Sequence, residues 1–231
     1  MQFVFTPPPA ALAAVVGSSA QFPVHRIYCV GRNYAEHAKE MGGTGREAPF
    51  FFMKPADAVL SVAAGAIGTM PYPGMTQDLH HEIELVVALG SGGANIAAAD
   101  ALSHVWGYAV GLDMTRRDLQ AEAKKAGRPW CTAKGFDHAA PLGPIYPVAD
   151  TRLAENAAIS LKVNGAMRQH GSIDQLIWSV AETIEHLSKY FALQAGDLIF
   201  TGTPAGVGAV QRGDLLEGAI DGLGELRVRL S

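Results

Sequence analysis

His80-His81-Glu82-Ile83-Glu84-Leu85-Val86-Val87-Ala88-Leu89-Gly90 decides how this chain folds. Leu85 to Leu89 is an apolar run with β-branched members, and Gly90 ends it, so the segment reads as a core strand. Successive strand side chains point to opposite faces, which puts residues two apart on one face. Glu82 and Glu84 therefore project together at the mouth of a strand that is otherwise apolar. Like charges held that close need a compensating cation. Hard oxygen ligands select Mg2+, Mn2+ or Ca2+ over thiophilic metals. The alternative is a pair of solvated charges on an edge strand; the adjoining His80, His81 and the apolar run favour the metal.

Working outward, 231 residues with 48% hydrophobic content predict one large domain or a domain with a small appendage. We divide the chain into an N-terminal extension, residues 1–25, and a single catalytic domain, residues 26–231. The net charge of -4 offers no basic footprint for nucleic acid. Gly 26 and Pro 13 predict many turns and a β-rich architecture. Cys29 and Cys131 fit neither a metal pair nor a disulfide framework, and each reads as a buried thiol in a reducing compartment. Ala10 to Val16 is apolar but short, with no positive residue before it, so it fails as a signal peptide and as a membrane span. A soluble cytoplasmic protein is the expectation.

Ile27 to Val30 and Phe50 to Met53 read as strands, as do Trp106 to Leu112, Leu198 to Thr201 and Leu226 to Leu230. Asn33 is placed to cap a short helix, Tyr34 to Met41, ended by the Gly42-Gly43-Thr44-Gly45 hinge. A helix is expected over Ala97 to Leu102. Thr115 and Asp118 have capping-box spacing for a helix reaching Ala126, with Gly127 as its stop. Leu161 to Gly165 reads as a strand entering a tight turn. Apolar spacing predicts a helix from Ile173 to Phe191. The order is mixed strand and helix, dominated by strands.

Asp113 closes the Trp106–Leu112 run and is either a third carboxylate of the site or an acid at the start of the following helix. His37 and Glu40 are three apart, so on a helix they share a face, and a carboxylate orienting an imidazole makes a general base; a surface pair is the other reading. Arg117 and Gln120, also three apart, can hold a substrate carboxylate and carbonyl. Lys134 stands alone in an apolar stretch. Thr201 to Gly208 lacks the Lys and following helix of a phosphate loop and suits a small anionic ligand better than a nucleotide.

In these residues the chain resembles the fumarylacetoacetate hydrolase family, in particular its short acylpyruvate hydrolase branch. The matching pieces are Val30-Gly31-Arg32-Asn33-Tyr34 through His37 and Glu40, Phe52-Met53-Lys54-Pro55, His80 to Leu85 and Leu112 to Gln120. Ala133 to Asp137, Val163-Asn164-Gly165 and Gly196 to Gly208 complete the set. The resemblance implies an α+β, β-rich fold, the mixed β-sandwich or roll of that family's catalytic domain, and a homodimer. It also implies Glu82, Glu84 and Asp113 as ligands of Mg2+ (or Mn2+), and His37 and Glu40 as a catalytic dyad. Lys134, Gln120, Arg117 and Thr203 fall at substrate-contacting positions, Lys134 with a catalytic part. Large eukaryotic members add a further aspartate ligand near the first motif, where this chain has Arg32-Asn33-Tyr34. Three protein carboxylates plus water are therefore expected. Tyr72 to Asp78 and the Pro-rich start resemble bacterial fumarylpyruvate hydrolases of the gentisate pathway.

The implied reaction is metal-dependent hydrolysis of the C3–C4 bond of a 2,4-dioxo acid, fumarylpyruvate giving fumarate and pyruvate. Oxaloacetate decarboxylation and isomerisation of a 2-oxo-hept-3-ene-dioate are reactions of the same family and stand as alternatives. A catalytically silent metal- or anion-binding protein is a third.

Overall fold

The computed structural model describes residues 2–35 and 46–231. In chain order its strands begin with β1 (Leu12–Ala14), β2 (Gln21–Pro23), β3 (Ile27–Gly31), β4 (Phe50–Lys54), β5 (Val59–Ser61) and β6 (Ile67–Met70). Next come β7 (Leu79–His81), β8 (Ile83–Leu89), β9 (Val105–Leu112), β10 (Thr115–Arg116), β11 (Ala140–Leu142) and β12 (Tyr146–Pro147). The last six are β13 (Ala158–Val163), β14 (Ala166–Ser172), β15 (Leu198–Phe200), β16 (Gly208–Val210), β17 (Leu215–Ile220) and β18 (Glu225–Leu230). Among the described residues four α-helices are interspersed: α1 (Ala98–Ala101), α2 (Arg117–Ala126), α3 (Cys131–Lys134) and α4 (Val180–Tyr190).

The principal sheet runs β4-β3-β15-β8-β9-β11-β5, with β12 added to β9, and a second sheet runs β14-β13-β17-β18-β6. A small ribbon, β10-β7-β16, continues the line of β8 beyond its first residue. This is the strand-rich α+β architecture that the sequence predicts.

β8 is buried along its whole length, which explains why its sequence does not alternate. Ile83 and Leu85 pack against Ile159, Leu161, Leu216 and Val228 of the second sheet. Val86 and Ala88 turn the other way, onto Ile27, Cys29, Ala109 and Phe200. Val87 and Leu89 meet Ile184 and Leu187 of α4. Each such fully buried Leu or Ile contributes roughly 1.5–3 kcal/mol relative to exposure. The β1–β2 hairpin lies on the second of these clusters through Ala13 and Phe22.

Three expectations need correction. The apolar spacing from Ile173 does not make one helix: a 3-10 turn covers Ile173–Gln175, and α4 starts only at Val180. The main chain between them is taken by Asn33, whose Oδ1 accepts from Trp178 N at 2.7 Å. Ser179 and Glu182 then form the capping box of α4. The Thr115–Asp118 box does not form, because the Thr115 hydroxyl donates to Glu82 and Asp118 accepts from Thr76 Oγ1 and Gln77 N. The helix still ends at Gly127. Finally, Cys29 is buried but Cys131 is exposed.

The expected helix Tyr34 to Met41, the hinge at Gly42 to Gly45, and with them His37 and Glu40, lie outside the described residues. Among the described residues no helix is long and apolar enough to cross a membrane.

Candidate functional site

β8 and β9 are antiparallel with Ile83 opposite Leu112, so the start of one strand meets the end of the other. That register sets Glu82 against Asp113, whose main-chain N–H donates to the Glu82 carbonyl at 2.8 Å. Glu84 enters from the same face of β8. Carboxylate oxygens of Glu82, Glu84 and Asp113 lie within 4.8 Å of one another, and all three residues are buried. Glu82 stands in the break between β7 and β8 rather than inside a strand, yet the two-residue spacing still aims it beside Glu84.

Two lysines enter this cluster. Lys134, the last residue of α3, donates from Nζ to Asp113 Oδ2 at 2.6 Å and to Glu82 Oε2 at 2.9 Å. Burial by itself would depress its pKa; Asp113 and Glu82 outweigh that and hold it above the ordinary value, a permanent cation. Lys54, at the end of β4, is fully buried and places Nζ 2.7 Å from Asp113 Oδ1. It also donates to the main-chain oxygens of Met114 and Lys134. The lysine that closes β4 is thereby tied to the lysine that closes α3.

Glu84 is different. Among the described residues it makes one hydrogen bond, from Gly202 N to Oε2 at 2.8 Å, and no ion pair. Burial, then the Asp113 and Glu82 charges, push its pKa well above the ordinary carboxylate value. Gly202 supplies that N–H from a left-handed backbone (φ 105°) so tight that a Cβ would sit 2.7 Å from Asn33 Cβ. A buried carboxylate without a cation, beside two others, is the arrangement a divalent ion completes. Asp113 Oδ1, ion-paired with Lys54 but accepting no aligned hydrogen bond, keeps a lone pair for the same purpose. The donor set is all oxygen and fits Mg2+ or Mn2+.

The pocket above the cluster has a volume of about 30 Å³ and is lined by Arg32, Arg117, Gln120, Lys134 and Thr203 as well as the three acids. Arg117, the first residue of α2, donates from Nη2 to Glu82 Oε1 at 2.5 Å and from Nη1 to Gln120 Oε1 at 2.6 Å. Its Nε reaches His80 Nδ1 at 3.4 Å, and His80 Nε2 then donates to Asp78 at 2.8 Å. Burial, with Arg117 next, lowers the His80 pKa, so the ring stays neutral and can accept from Arg117. Arg117 is thus held in the pocket by the site's own groups.

Thr203 is positioned by Gln169, a fully buried residue of β14. Gln169 Oε1 accepts from His81 Nδ1 at 2.8 Å and Ile83 N at 3.1 Å, while Nε2 donates to Thr203 Oγ1 at 2.7 Å and Pro204 O at 2.8 Å. With Oγ1 already accepting, the Thr203 hydroxyl hydrogen is available to the pocket. The structure therefore brings together Glu82, Glu84, Asp113, Lys134, Arg117, Gln120 and Thr203. His37 and Glu40 lie outside the described residues. Lys54 and Gln169 carry no role in the sequence reading. Lys54 sits within a quoted motif, and its signal is a lysine ending an aromatic strand; Gln169 gives none, being 86 residues from Ile83.

Residues 26–231 match the family described as fumarylacetoacetate (FAA) hydrolase C-terminal. The structure of fumarylpyruvate hydrolase from Pseudomonas aeruginosa, in complex with Mn2+ and pyruvate, is 57% identical and superposes with a TM-score of 0.97, covering 99% of each chain. The mitochondrial oxaloacetate tautomerase of Rattus norvegicus is 42% identical over 204 residues, 88% of this chain and 90% of its own length. The Escherichia coli oxaloacetate tautomerase is 40% identical over 207 residues, 89% of this chain and 93% of its own.

Proposed function

The chain belongs to the fumarylacetoacetate hydrolase family, and within it we propose a divalent-metal-dependent acylpyruvate hydrolase that splits fumarylpyruvate into fumarate and pyruvate. The observation that carries this reading is the 57% identity over 99% of both chains to a fumarylpyruvate hydrolase holding Mn2+ and pyruvate. The buried acid cluster in the pocket supports it independently.

Glu82, Glu84 and Asp113 hold the ion, Mg2+ or Mn2+, which when bound supplies Lewis-acid polarisation of a 2,4-dioxo acid. Arg117, Gln120 and the Thr203 hydroxyl orient the substrate carboxylate and oxo groups. His37, oriented by Glu40, takes a proton from the water that adds to C4. As the C4 oxyanion collapses, the C3–C4 bond breaks and its electron pair passes to pyruvate as the enolate. The Lys134 ammonium stabilises that developing negative charge, and a proton then returns to C3. The acyl half leaves as a carboxylate. The homodimer and the cytoplasmic location belong to the same reading.

A second reading has its own support. The two tautomerases named above share 42% and 40% identity with this chain, so keto–enol exchange of oxaloacetate is the competing activity. It needs proton transfer at C3 and no bond cleavage. The test is a panel of acylpyruvates, fumarylpyruvate included, with Mg2+ or Mn2+, reading pyruvate release beside oxaloacetate enol decay. Fumarylpyruvate should give the highest kcat/KM. Oxaloacetate exchange without pyruvate release from any acylpyruvate would replace the hydrolase by the tautomerase.

A further inference from the structure

Among the cations lining the pocket, Arg32 stands apart. Arg117 and Lys134 are each ion-paired to Glu82 or Asp113, and buried Lys54 behind them is paired to Asp113. Arg32 also lines the pocket, yet among the described residues it makes neither a hydrogen bond nor an ion pair, and its Nε is buried without a partner. The Phe50 ring lies beside it, with its centroid 5.9 Å from Arg32 Cζ.

Its backbone is held deliberately. Arg32 has φ 57°, a left-handed conformation that a non-glycine residue adopts at a cost of order 1 kcal/mol and keeps only where its surroundings over-determine it. The next residue provides the determination. Asn33 donates to Trp178 O at 2.9 Å and Thr201 O at 2.8 Å, and accepts from Trp178 N at 2.7 Å and Ile177 N at 2.8 Å. On the other side, Gly31 lets the Phe50 ring approach to within 2.0 Å of where a Cβ would stand. A strained, clamped residue over a pocket, with no ion pair among the described residues, is a functional signature rather than a stabilising one.

A row of rings joins this charge to the acid cluster. Lys134 Nζ lies 5.0 Å from the Phe52 ring, Phe52 is 5.6 Å from Trp130, and Trp130 is 5.4 Å from Phe50, which neighbours Arg32. Lys134 and Arg32 are thus linked through successive contacts of three rings that line the pocket. Such a lining suits a flat, unsaturated chain that carries negative charge. Lys124 lies within the same field: burial first, then Arg32 and Arg117, lower its pKa.

We propose that Arg32 is the specificity-determining residue for the acyl end of the substrate, where it receives the terminal carboxylate. The pocket thereby selects acylpyruvates whose acyl group ends in an anion over those ending in a methyl. This deepens the hydrolase reading and rests on it.

The test compares the metal-loaded wild type with Arg32→Gln and Arg32→Lys, neither of which adds a β-branch at the left-handed position. For fumarylpyruvate, Arg32→Gln should lower kcat/KM by about 10- to 100-fold, the range of a lost charge-assisted hydrogen bond, mostly through KM. Acetylpyruvate, which ends in a methyl, should be unaffected, and Arg32→Lys should recover part of the loss. Parallel loss for both substrates, or loss for neither, overturns the proposal. Calorimetric titration with fumarate, at saturating Mn2+ and pyruvate, reads the same residue without turnover. Fumarate binding that depends on Arg32, in a protein that hydrolyses no acylpyruvate, would sink the hydrolase and leave this subsite standing. Hydrolysis with both quantities indifferent to Arg32→Gln would sink the subsite alone.

Discussion

The paired strands β8 and β15 hold a buried acid near each end of their ladder, and the two ends could hardly be treated more differently. Asp197 precedes β15 and is fully buried. Its carboxylate accepts from Arg26 Nε at 3.1 Å and Nη2 at 3.0 Å, from His25 Nδ1 at 2.8 Å and from Gln194 N at 2.9 Å. Past the other end of β15, Gly202 gives Glu84 a single N–H, and among the described residues no ion pair comes with it. Antiparallel pairing of Leu198 with Ala88 and Phe200 with Val86 makes both ends part of one rigid unit. A fold that satisfies one acid so fully has the means to satisfy the other. Leaving Glu84 short while placing Glu82 and Asp113 beside it is the mark of a ligand site.

The largest expected effect comes from removing one of the cations that serve the other two acids. Lys134→Met removes the cation shared by Glu82 and Asp113 and should lower kcat about 10²- to 10³-fold in the metal-loaded enzyme. Full turnover with metal bound would take Lys134 out of the chemistry. At the well-served end, Asp197→Asn should destabilise the fold by about 3 kcal/mol, because Arg26 and His25 lose their partner. Denaturant unfolding measures this, and activity per folded molecule should stay at the wild-type level. A loss of activity without loss of stability would erase the contrast between the two acids.

A smaller effect is a pH dependence confined to the metal-stripped protein. The Glu84 carboxyl has a folded pKa well above its ordinary 4.5, so over the window above 4.5 the native state keeps a proton that the unfolded chain has released. The native state then binds more protons, and stability must fall as pH rises through that window. Thermal melts of the stripped protein between about pH 5 and 8 should show Tm falling with pH. Glu84→Gln should flatten the trend. Identical slopes for wild type and variant would assign the dependence elsewhere.

Much of this was legible in the sequence. Leu85 to Leu89 gave the buried strand because nothing polar interrupts it, and a two-residue spacing sufficed to put Glu82 and Glu84 together. Asp113 needed the β8–β9 register, which no local pattern reveals, and spacing alone left it open between ligand and helix acid. The misread features share one cause, namely side chains engaged by distant residues. Thr115 cannot cap α2 because Glu82 holds its hydroxyl. The periodicity from Ile173 breaks because Asn33, 145 residues away, binds the Trp178 main chain. Lys54 and Gln169 take their meaning from partners on other strands, and Arg32 from having no polar partner among the described residues.

The most direct test of the contrast is a Mn2+ titration of the wild type, Glu84→Gln and Asp197→Asn, followed by calorimetry. Wild type and Asp197→Asn should bind alike, while Glu84→Gln should lose affinity by more than about 100-fold, beyond the usual cost of disturbing a group that merely supports a ligand. Glu84→Gln binding Mn2+ as tightly as the wild type would contradict the account.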